Sequence, residues 1–593
     1  MTPTRTMPAI LAASLLTAAA SFSEVPVSAQ DPAVQRLHSL LDREWDYRME
    51  RDPVEASVLG DRRWNDRWPD ASPASYNAER KQYEAFLAEL RKIDPAPLPA
   101  AERTNHDLFE YELKLRLEGY PHDWHLVPWS TLGGIQMTGN LGERLRFETV
   151  KDYEDWIARL RSFPAYNDQT IALADAGLAK KRVQSQPVVK RIQGQVGKLI
   201  VADVTRSPYY EPFTRIPASF SAADRERLAS QGRAALEQNV IPALRKLKAY
   251  LDGPYWAAAP AQVGLGALPG GRDLYAYLAR VSTTTELTPQ AIHEIGLREV
   301  ARIRGEMDAL RAEIQFKGTL PEMFQYLRHD EKFKFKGPDD VLEKTRAAAK
   351  RIDPTVVKLF RTLPRMPYGI EPIPEAQAAD SPPYYERPAA DGSRAGNYFV
   401  NTLRADATWN TISVALHETI PGHHFQIALS QELGELPKFR RFGGYTAYIE
   451  GWGLYAEFLG EELGVYDDPY QRFGRLANEM WRAVRLVVDT GLHVLGWDRE
   501  RALAYFKENA PNPEATFVAE VDRYIGLPGQ ALAYKIGELK IKELRQRAQQ
   551  KLGTRFDVKD FHDVVLLQGG VPLAVLEKNV DAWIAGTSAV ARQ

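Results

Sequence analysis

Apolar residues recur at intervals of three and four along most of the chain, which places them on one face of a helix. The pattern is clearest at Tyr153, Trp156, Ile157 and Leu160. It predicts helices over residues 31–59, 75–92, 104–117, 150–178, 221–252, 288–314 and 468–496. Thr288 and Pro289 form a favourable helix start, a capping hydroxyl followed by proline in the first turn. Pro164 is expected to break or kink its helix.

Two stretches interrupt this pattern. Residues 257–271 are rich in Ala, Pro and Gly and predict a boundary between an N-terminal lobe, residues 30–260, and a C-terminal lobe, residues 272–593. Residues 364–396 contain seven prolines, and short strands are predicted at residues 384–385 and 397–400. The expected fold is therefore mostly α-helical and two-lobed, with a central cleft and a small β element.

Composition and charge narrow the class of protein. The 593 residues are 44% hydrophobic and 26% charged, which is typical of globular proteins. The formal net charge is −2 and no basic stripe occurs, which argues against nucleic acid as a partner. After the N-terminal segment, no stretch is apolar enough to predict a membrane span.

The N-terminal segment has the pattern of a secretory signal. Arg5 precedes an apolar run over residues 9–20, and Val27-Ser28-Ala29 offers small residues at a cleavage site. We therefore expect a signal peptide over residues 1–29 and a periplasmic or secreted bacterial protein. The chain contains no cysteine. That excludes disulfides and an anchor on a cysteine, and it leaves His and carboxylate side chains as ligands for any metal.

The segment 413–426 carries the strongest chemical signal, with three of the eleven histidines: His417, His423 and His424. Zinc-protease helices place two His one turn apart, with a Glu after the first, so that both imidazoles reach the metal and the Glu acts on bound water. Here Pro421 stands where the second His would be. If Pro421 and Gly422 bulge outward, His417 and His423 are again one helical turn apart. Glu418 then follows the first His and is predicted to be the base.

His423 is thus the preferred second ligand. His424 is interpreted as the alternative ligand, or as a group that supports the ligands or binds substrate. A His-Glu pair alone carries little weight. His293-Glu294 lies on a predicted helix without a further His, and we interpret it as structural.

A third ligand is expected from the segment around Glu450. Glu450 and Glu457 are seven residues apart, on one face of an otherwise apolar helix, and a buried carboxylate needs a partner. Glu450 is predicted to complete the metal site, and Glu457 to hold a ligand His through its other ring nitrogen. Gly451 and Gly453 would allow another helix to approach closely. The alternative interpretation of each Glu is an ordinary helix acid.

A polar stripe follows the predicted helix 468–496, at Arg475, Glu479, Arg482, Arg485, Asp489 and His493. It predicts the wall of a wet cleft, in which Asp489 orients His493 and His493 donates to a developing oxyanion. An ordinary solvated helix face is the alternative.

Further candidates lie downstream. Tyr524 or Tyr534 is predicted to polarise a substrate carbonyl. Arg523, Lys535 and Gln530 are predicted to bind substrate, the two cations through a peptide carboxylate. The alternative interpretation is that Tyr524 and Tyr534 belong to the core and that Lys535 lies on the surface, without a role in catalysis or binding.

These segments carry a family resemblance. The motifs that begin at His417, Glu450, Val488 and Pro528 resemble a bacterial family filed as domain of unknown function 885, over nearly all of the mature chain. That family is similar to helical gluzincin metallopeptidases such as thimet oligopeptidase, angiotensin-converting enzyme and carboxypeptidase Taq. The resemblance implies a metallopeptidase-like fold, one zinc ion, two His on one helix, a Glu base and a Glu ligand on a following helix. It also favours His423, because the second His is commonly preceded by Gly in those enzymes, as His423 is by Gly422 here.

The combined prediction is an exported zinc-dependent peptidase. Glu418 deprotonates the zinc-bound water, His493 with Tyr524 or Tyr534 stabilises the tetrahedral intermediate, and residues 397–400 pair with an extended peptide. Two alternatives stay open: an amidase or esterase for a non-peptide substrate, and a non-catalytic periplasmic binding protein with a structural metal. The pattern leaves open substrate length, endo- or exo-cleavage, oligomeric state and the choice of zinc over another divalent ion.

Overall fold

The computed structural model describes residues 31–374, 378, 381–403 and 407–590, with the side chains of residues 588–590 excepted. The signal peptide predicted over residues 1–29 lies outside this range. None of the helices described combines the length and apolar character that a membrane crossing requires.

The first half of the structure is helical. It contains α1 Pro32–Arg51, α2 Pro53–Val58, α3 Pro73–Leu90, α4 Ala100–Gly119, α5 Leu141–Arg144, α6 Val150–Ala179, α7 Gln186–Leu199, α8 Glu211–Thr214, α9 Ala222–Ala235, α10 Ile241–Tyr250, α11 Trp256–Ala258, α12 Gly271–Thr283, α13 Pro289–Glu313, α14 Leu320–His329 and α15 Pro338–Ile352. Side-chain caps define several helix starts. The Thr288 side chain, for example, accepts a hydrogen bond from the Ala291 amide, as the sequence predicts.

After a small sheet, helices continue to the end of the described chain. They are α16 Thr411–Glu418, α17 His423–Glu432, α18 Lys438–Phe442, α19 Thr446–Leu463, α20 Pro469–His493, α21 Arg499–Asn509, α22 Glu514–Gly526, α23 Ala533–Leu552, α24 Val558–Leu566 and α25 Leu573–Val590. The mostly helical class predicted from the sequence is confirmed.

One predicted break does not occur. Helix α6 runs from Val150 to Ala179 without interruption at Pro164. An internal proline costs a helix about 3 kcal/mol. The helix buries Tyr153, Trp156 and Phe163 on one side. Burial of each side chain of this size stabilises the fold by about 1.5–3 kcal/mol. Packing therefore outweighs the local cost.

The sheet has three strands in the order β1-β3-β2: β1 Tyr368–Pro372, β2 Tyr384–Glu386 and β3 Gly396–Val400. Strand β3 pairs with β1 in parallel and with β2 in antiparallel orientation. The two predicted strands are confirmed, and β1 is an addition. The predicted pairing of residues 397–400 with a peptide is wrong, because both edges of β3 are already paired. Both of its neighbours, β1 and β2, are edge strands.

Two large apolar cores hold the helices together, and a small third core lies under the sheet. Helix α20 borders both large cores, with Val484 and Val487 in the first and Leu486 in the second. Both cores draw residues from either side of residues 257–271. The division of the chain into two lobes stays a prediction.

Helices α19 and α23 cross with their backbones in contact. A Cβ atom added to Gly451 would lie 2.5 Å from the Cα of Gly537, and one added to Gly537 would lie 1.9 Å from the carbonyl oxygen of Ala447. Both distances are far below van der Waals contact, so only glycine fits at either position. The expectation that Gly451 permits close helix approach is confirmed.

The close contact of α19 and α23 leads to a prediction for a substitution that adds one methyl group. Gly537→Ala should lower the free energy of unfolding by about 1–3 kcal/mol, because the helices must separate to admit it. Gly305→Ala is the matched control, since a Cβ atom there meets nothing within 4 Å. The control should be neutral or stabilise by about 0.5–1 kcal/mol. Denaturant unfolding of both variants checks this, and equal midpoints would contradict it.

Candidate metal centre

The chain leaves the helical path between α16 and α17. Helix α16 ends at Glu418 and α17 begins at His423, with non-helical backbone angles at Thr419 and Gly422. A Cβ atom at Gly422 would lie 2.0 Å from the carbonyl oxygen of His417, so this path requires glycine. The indole nitrogen of Trp452 on α19 donates to the Pro421 carbonyl at 2.8 Å and holds the turn. The predicted interruption is confirmed.

The turn brings two imidazoles to a common point with a carboxylate. The ring centroids of His417 and His423 are 4.6 Å apart. Oε2 of Glu450 lies 3.6 Å from Nε2 of His417 and 3.4 Å from Nε2 of His423. These three residues are a group whose ligand atoms could hold a metal ion. The structure thus brings together the three predicted ligands.

The spacing fits a tetrahedral ion. Bonds of about 2.1 Å at tetrahedral angles separate two ligand atoms by about 3.4 Å, close to the two measured distances. Oε2 of Glu450 is also buried, and the described residues offer it no hydrogen bond. A shared cation would satisfy that oxygen and both imidazoles at once.

Glu457 orients His417, the first candidate ligand. Its Oε1 accepts a hydrogen bond from Nδ1 of His417 at 2.8 Å, and its other oxygen accepts one from the Ser413 hydroxyl. With Nδ1 engaged in this bond, Nε2 is the ring nitrogen of His417 that faces Glu450. Gly453 packs against the same imidazole, where a Cβ atom would lie 2.8 Å from Cε1. The ring is therefore fixed from two directions.

The carboxylates make the centre strongly electronegative. Burial alone would lower the pKa of His417, but Glu450 and Glu457 raise it to about 10. Burial would raise the pKa of Glu450, but the neighbouring His417 and His423 hold it well below its usual range. The site therefore favours a positive charge at the point where the three side chains meet.

Glu418 is close to the ligands and does not join them. Its side chain lines the cavity beside His417 and His423, and burial raises its pKa. Its Oε2 is buried and receives no hydrogen bond from the part of the chain that the structure describes. A carboxylate in this state is available to take a proton.

The centre opens on a cavity of about 400 Å³. Strands β2 and β3, helices α16, α20 and α22 and the start of α23 contribute to its wall. Side chains that the sequence did not single out as site residues include Tyr384, Tyr385, Tyr398, Asn478, Arg482, Arg485 and Glu520. The periodicity placed Arg482 and Arg485 on the polar stripe predicted to line a cleft, and for these two residues that prediction is confirmed.

Two of the predicted substrate groups lie at the cavity. Tyr534 lines it, with its ring centroid 6.3 Å from that of His417. Arg523 also lines it and donates to the Tyr534 hydroxyl at 3.3 Å. Gln530 accepts a hydrogen bond from Arg523 at 2.8 Å, so its place is behind the guanidinium and not on the cavity wall.

His424 is not a ligand. Its Nδ1 is 2.9 Å from the Tyr385 hydroxyl and its Nε2 is 2.9 Å from the Met366 carbonyl. Both ring nitrogens are therefore engaged, and the alternative ligand assignment is wrong. Burial lowers the pKa of His424 to about 4, so this imidazole is neutral and holds the loop before β1.

The predicted roles of His493 and Asp489 are also wrong. Nδ1 of His493 accepts from the Leu265 amide and Nε2 donates to the Tyr524 carbonyl, both at 3.0 Å. Asp489 accepts from the Tyr275 hydroxyl and the Gly529 amide. Both side chains are buried away from the cavity, where they satisfy backbone and core groups.

Tyr524 and Lys535 also differ from expectation, because their polar atoms are bonded to groups inside the protein. The Tyr524 hydroxyl donates to Glu520 and accepts from Arg485, each at 2.7 Å, so it has no proton for a substrate. Lys535 is fully buried and donates to Glu479 and Glu538. The interpretation of Lys535 as a carboxylate-binding group is wrong, because it is already neutralised inside the protein.

His293 is structural, as interpreted from the sequence. Its Nδ1 lies 2.8 Å from the hydroxyl of Thr490, and the ring is buried. Glu294 is exposed on the same helix.

Comparisons with known proteins place the chain in a family. Residues 53–580 match the family described as "Bacterial protein of unknown function (DUF885)". The search of curated proteins found no match.

Two solved structures are similar. A "putative lipoprotein" from Colwellia psychrerythraea is 30% identical with a TM-score of 0.89, and the match covers 94% of this chain and all of that one. A second, from Shewanella oneidensis and of unknown function, is 17% identical with a TM-score of 0.69, covering 92% and 99%; at that identity it supports the fold alone. By the extent of the family match and the likeness to the first structure, the chain belongs to the bacterial family DUF885.

Proposed function

We propose that this protein is an exported zinc-dependent hydrolase that cleaves peptides. The observation that carries the proposal is the convergence of His417, His423 and Glu450 on one point, with the buried carboxylate of Glu418 beside them at a cavity wall. A structural metal needs ligands only, whereas an unengaged acid next to the ligands suits catalysis.

Zinc is the cofactor that this donor set suits best. Two imidazoles and one carboxylate are a common ligand set of catalytic zinc, which keeps one position open. A zinc ion held here would lower the pKa of a water ligand and polarise a carbonyl group. The order of His417, Glu418, His423 and Glu450 along the chain also resembles that of helical gluzincins, which supports the same assignment.

The protein side chains have separate tasks in this proposal. Glu418 takes the proton of the attacking water and passes it to the leaving amine. Glu457 keeps the His417 imidazole in one tautomer and orientation through the bond at Nδ1. Of the predicted donors His493, Tyr524 and Tyr534, Tyr534 is the one proposed to donate to the developing oxyanion, because it lines the cavity.

A peptide is the favoured substrate because of the sheet. Strand β2 is an edge strand, and its residues Tyr384 and Tyr385 line the cavity. An edge strand can pair with an extended backbone, which small amides and esters lack.

Export is part of the proposal. The N-terminal residues have the order of a secretory signal, and the similar structure from Colwellia psychrerythraea is described as a "putative lipoprotein". We therefore propose a periplasmic or secreted protein.

Glu418→Gln tests the role of the base. The variant should retain about one zinc per chain and lose hydrolysis by about a hundred- to ten-thousand-fold, because Gln cannot accept the proton. Glu294→Gln is the matched control, since it changes the Glu of the other His-Glu pair, and it should keep full activity. Peptide hydrolysis and metal analysis check both. An active Glu418→Gln enzyme would refute the mechanism.

Glu457→Gln tests the support of the first ligand. It should weaken zinc affinity by about 10–100-fold, because the bond that orients His417 loses its charge. Glu462→Gln is the control: it lies on the same helix and pairs with Arg545. Competition with a chromophoric chelator gives both affinities, and equal values would argue against the proposed centre.

Removal of the metal separates a catalytic ion from a structural one. Chelation should abolish hydrolysis and leave most of the helical circular dichroism, because two large apolar cores exist without the centre. Restored zinc should restore activity. If the chelated protein instead unfolds cooperatively, the metal is structural and the binding-protein alternative gains support.

A further inference from the structure

The cavity wall formed by α20 and α22 carries a cluster of positive charge. The guanidinium groups of Arg482, Arg485 and Arg523 belong to it, and Glu520 is the carboxylate that these two helices add to the lining. Glu520 accepts a hydrogen bond from Arg485 at 2.7 Å and lies 3.4 Å from Arg523. One carboxylate is thus shared between two arginines, and positive charge is in excess.

Arg482 does not remove that excess. Its nearest carboxylate is Glu457, at 3.7 Å. Glu457 is already bonded to His417 and Ser413. Arg482 therefore shares this carboxylate with His417, and its charge lowers the pKa of Glu457.

The three arginines also have unused donors. The Nε of Arg482, the Nη1 of Arg485 and the Nε of Arg523 are buried and find no acceptor among the described residues. The Arg485 side chain is only 6% exposed. A buried guanidinium N–H without an acceptor is costly, and carboxylates are the anions whose two oxygens match the guanidinium geometry.

The cluster is close to the candidate metal centre. The Cζ atom of Arg485 lies 4.4 Å from the Tyr534 ring centroid, and that centroid lies 6.3 Å from the centroid of the His417 ring. A single aromatic ring thus connects the arginines to the first ligand. A few residues of extended peptide, at about 3.3 Å each, cover such a distance.

We propose that Arg482, Arg485 and Arg523 bind a carboxylate of the substrate and so place the scissile bond within a few residues of that group. The substrates are then peptides with a free C-terminal carboxylate or an acidic side chain near the cleaved bond. This inference deepens the proposed peptidase function and rests on it, but its central claim concerns binding and can be measured without turnover.

Calorimetric titration of the zinc-loaded Glu418→Gln protein tests the claim. The probes are N-acetyl-Ala-Ala-Phe with a free carboxylate and the same peptide with a C-terminal amide. The acid should bind at least about tenfold more tightly, as expected for a charge-assisted contact. Adding Arg485→Gln or Arg523→Gln should remove this preference and leave amide binding almost unchanged.

Two further variants serve as controls for this titration. Arg361→Gln alters a surface arginine that pairs with Asp560, and it should leave the preference intact. Arg485→Lys keeps the charge in case the glutamine variant is unstable, and it should retain part of the preference. Thermal melting establishes that each variant is folded.

A third probe distinguishes the source of the carboxylate. An amidated peptide with Glu in place of Phe carries its charge on a side chain. If it binds like the free acid, the arginines recognise acidic side chains; if it binds like the amide, they recognise the C-terminus. Either result supports a carboxylate site.

Other results would overturn the inference. Equal binding of the first two probes, or no binding of either, would show that the cluster does not select carboxylates. A preference that survives both arginine-to-glutamine changes would place the carboxylate on the metal centre. Absence of hydrolysis by the wild-type protein, with the arginine-dependent preference intact, would instead refute the peptidase function alone.

Discussion

The interruption of the helix at residues 419–422 is the constraint on which the candidate centre depends. In an unbroken helix, His423 would lie about 240° around the axis from His417, and the two rings would point apart. The turn removes that separation. It exists because glycine stands at position 422, where the His417 carbonyl leaves no room for a side chain, and because Trp452 holds the turn from α19. The helix that fixes the turn also carries Glu450 and Glu457.

The carboxylates around this turn are buried, and burial of a charge is costly unless a partner compensates it. Their partners differ. Glu457 has hydrogen bonds to both oxygens, Glu450 faces two imidazoles, and Glu418 keeps an oxygen without a hydrogen bond from the described chain. Support, ligation and proton transfer are the roles that these three environments suit. These three glutamates look alike in the sequence. The proposed chemistry follows from the different hydrogen-bond and ionic partners that each carboxylate has in the structure.

Helix α20 shows how one polar stripe can serve two purposes. Its apolar residues border both large cores, so its polar residues are enclosed as well. Arg482 and Arg485 reach the cavity. Glu479 and Asp489 instead neutralise or bond groups inside the protein. Neither a solvated face nor a uniform cleft wall describes this helix, because its neighbours change along its length.

The sequence by itself determined the helical class and the strands near residues 384 and 397. It also predicted His417, Glu450 and either His423 or His424 as candidate metal ligands, with Glu457 as the partner of a ligand imidazole. Each of these follows from local spacing or from the chemistry of a short motif. Only the tertiary structure decided that His493 and Lys535 are internal and that the cavity has an arginine-rich wall. Their partners lie far away in the chain: the Leu265 amide bonds to His493, and Glu299 pairs with Lys535. Whether a polar side chain faces a cavity or a buried partner depends on such distant neighbours, and periodicity along one helix carries no information about them.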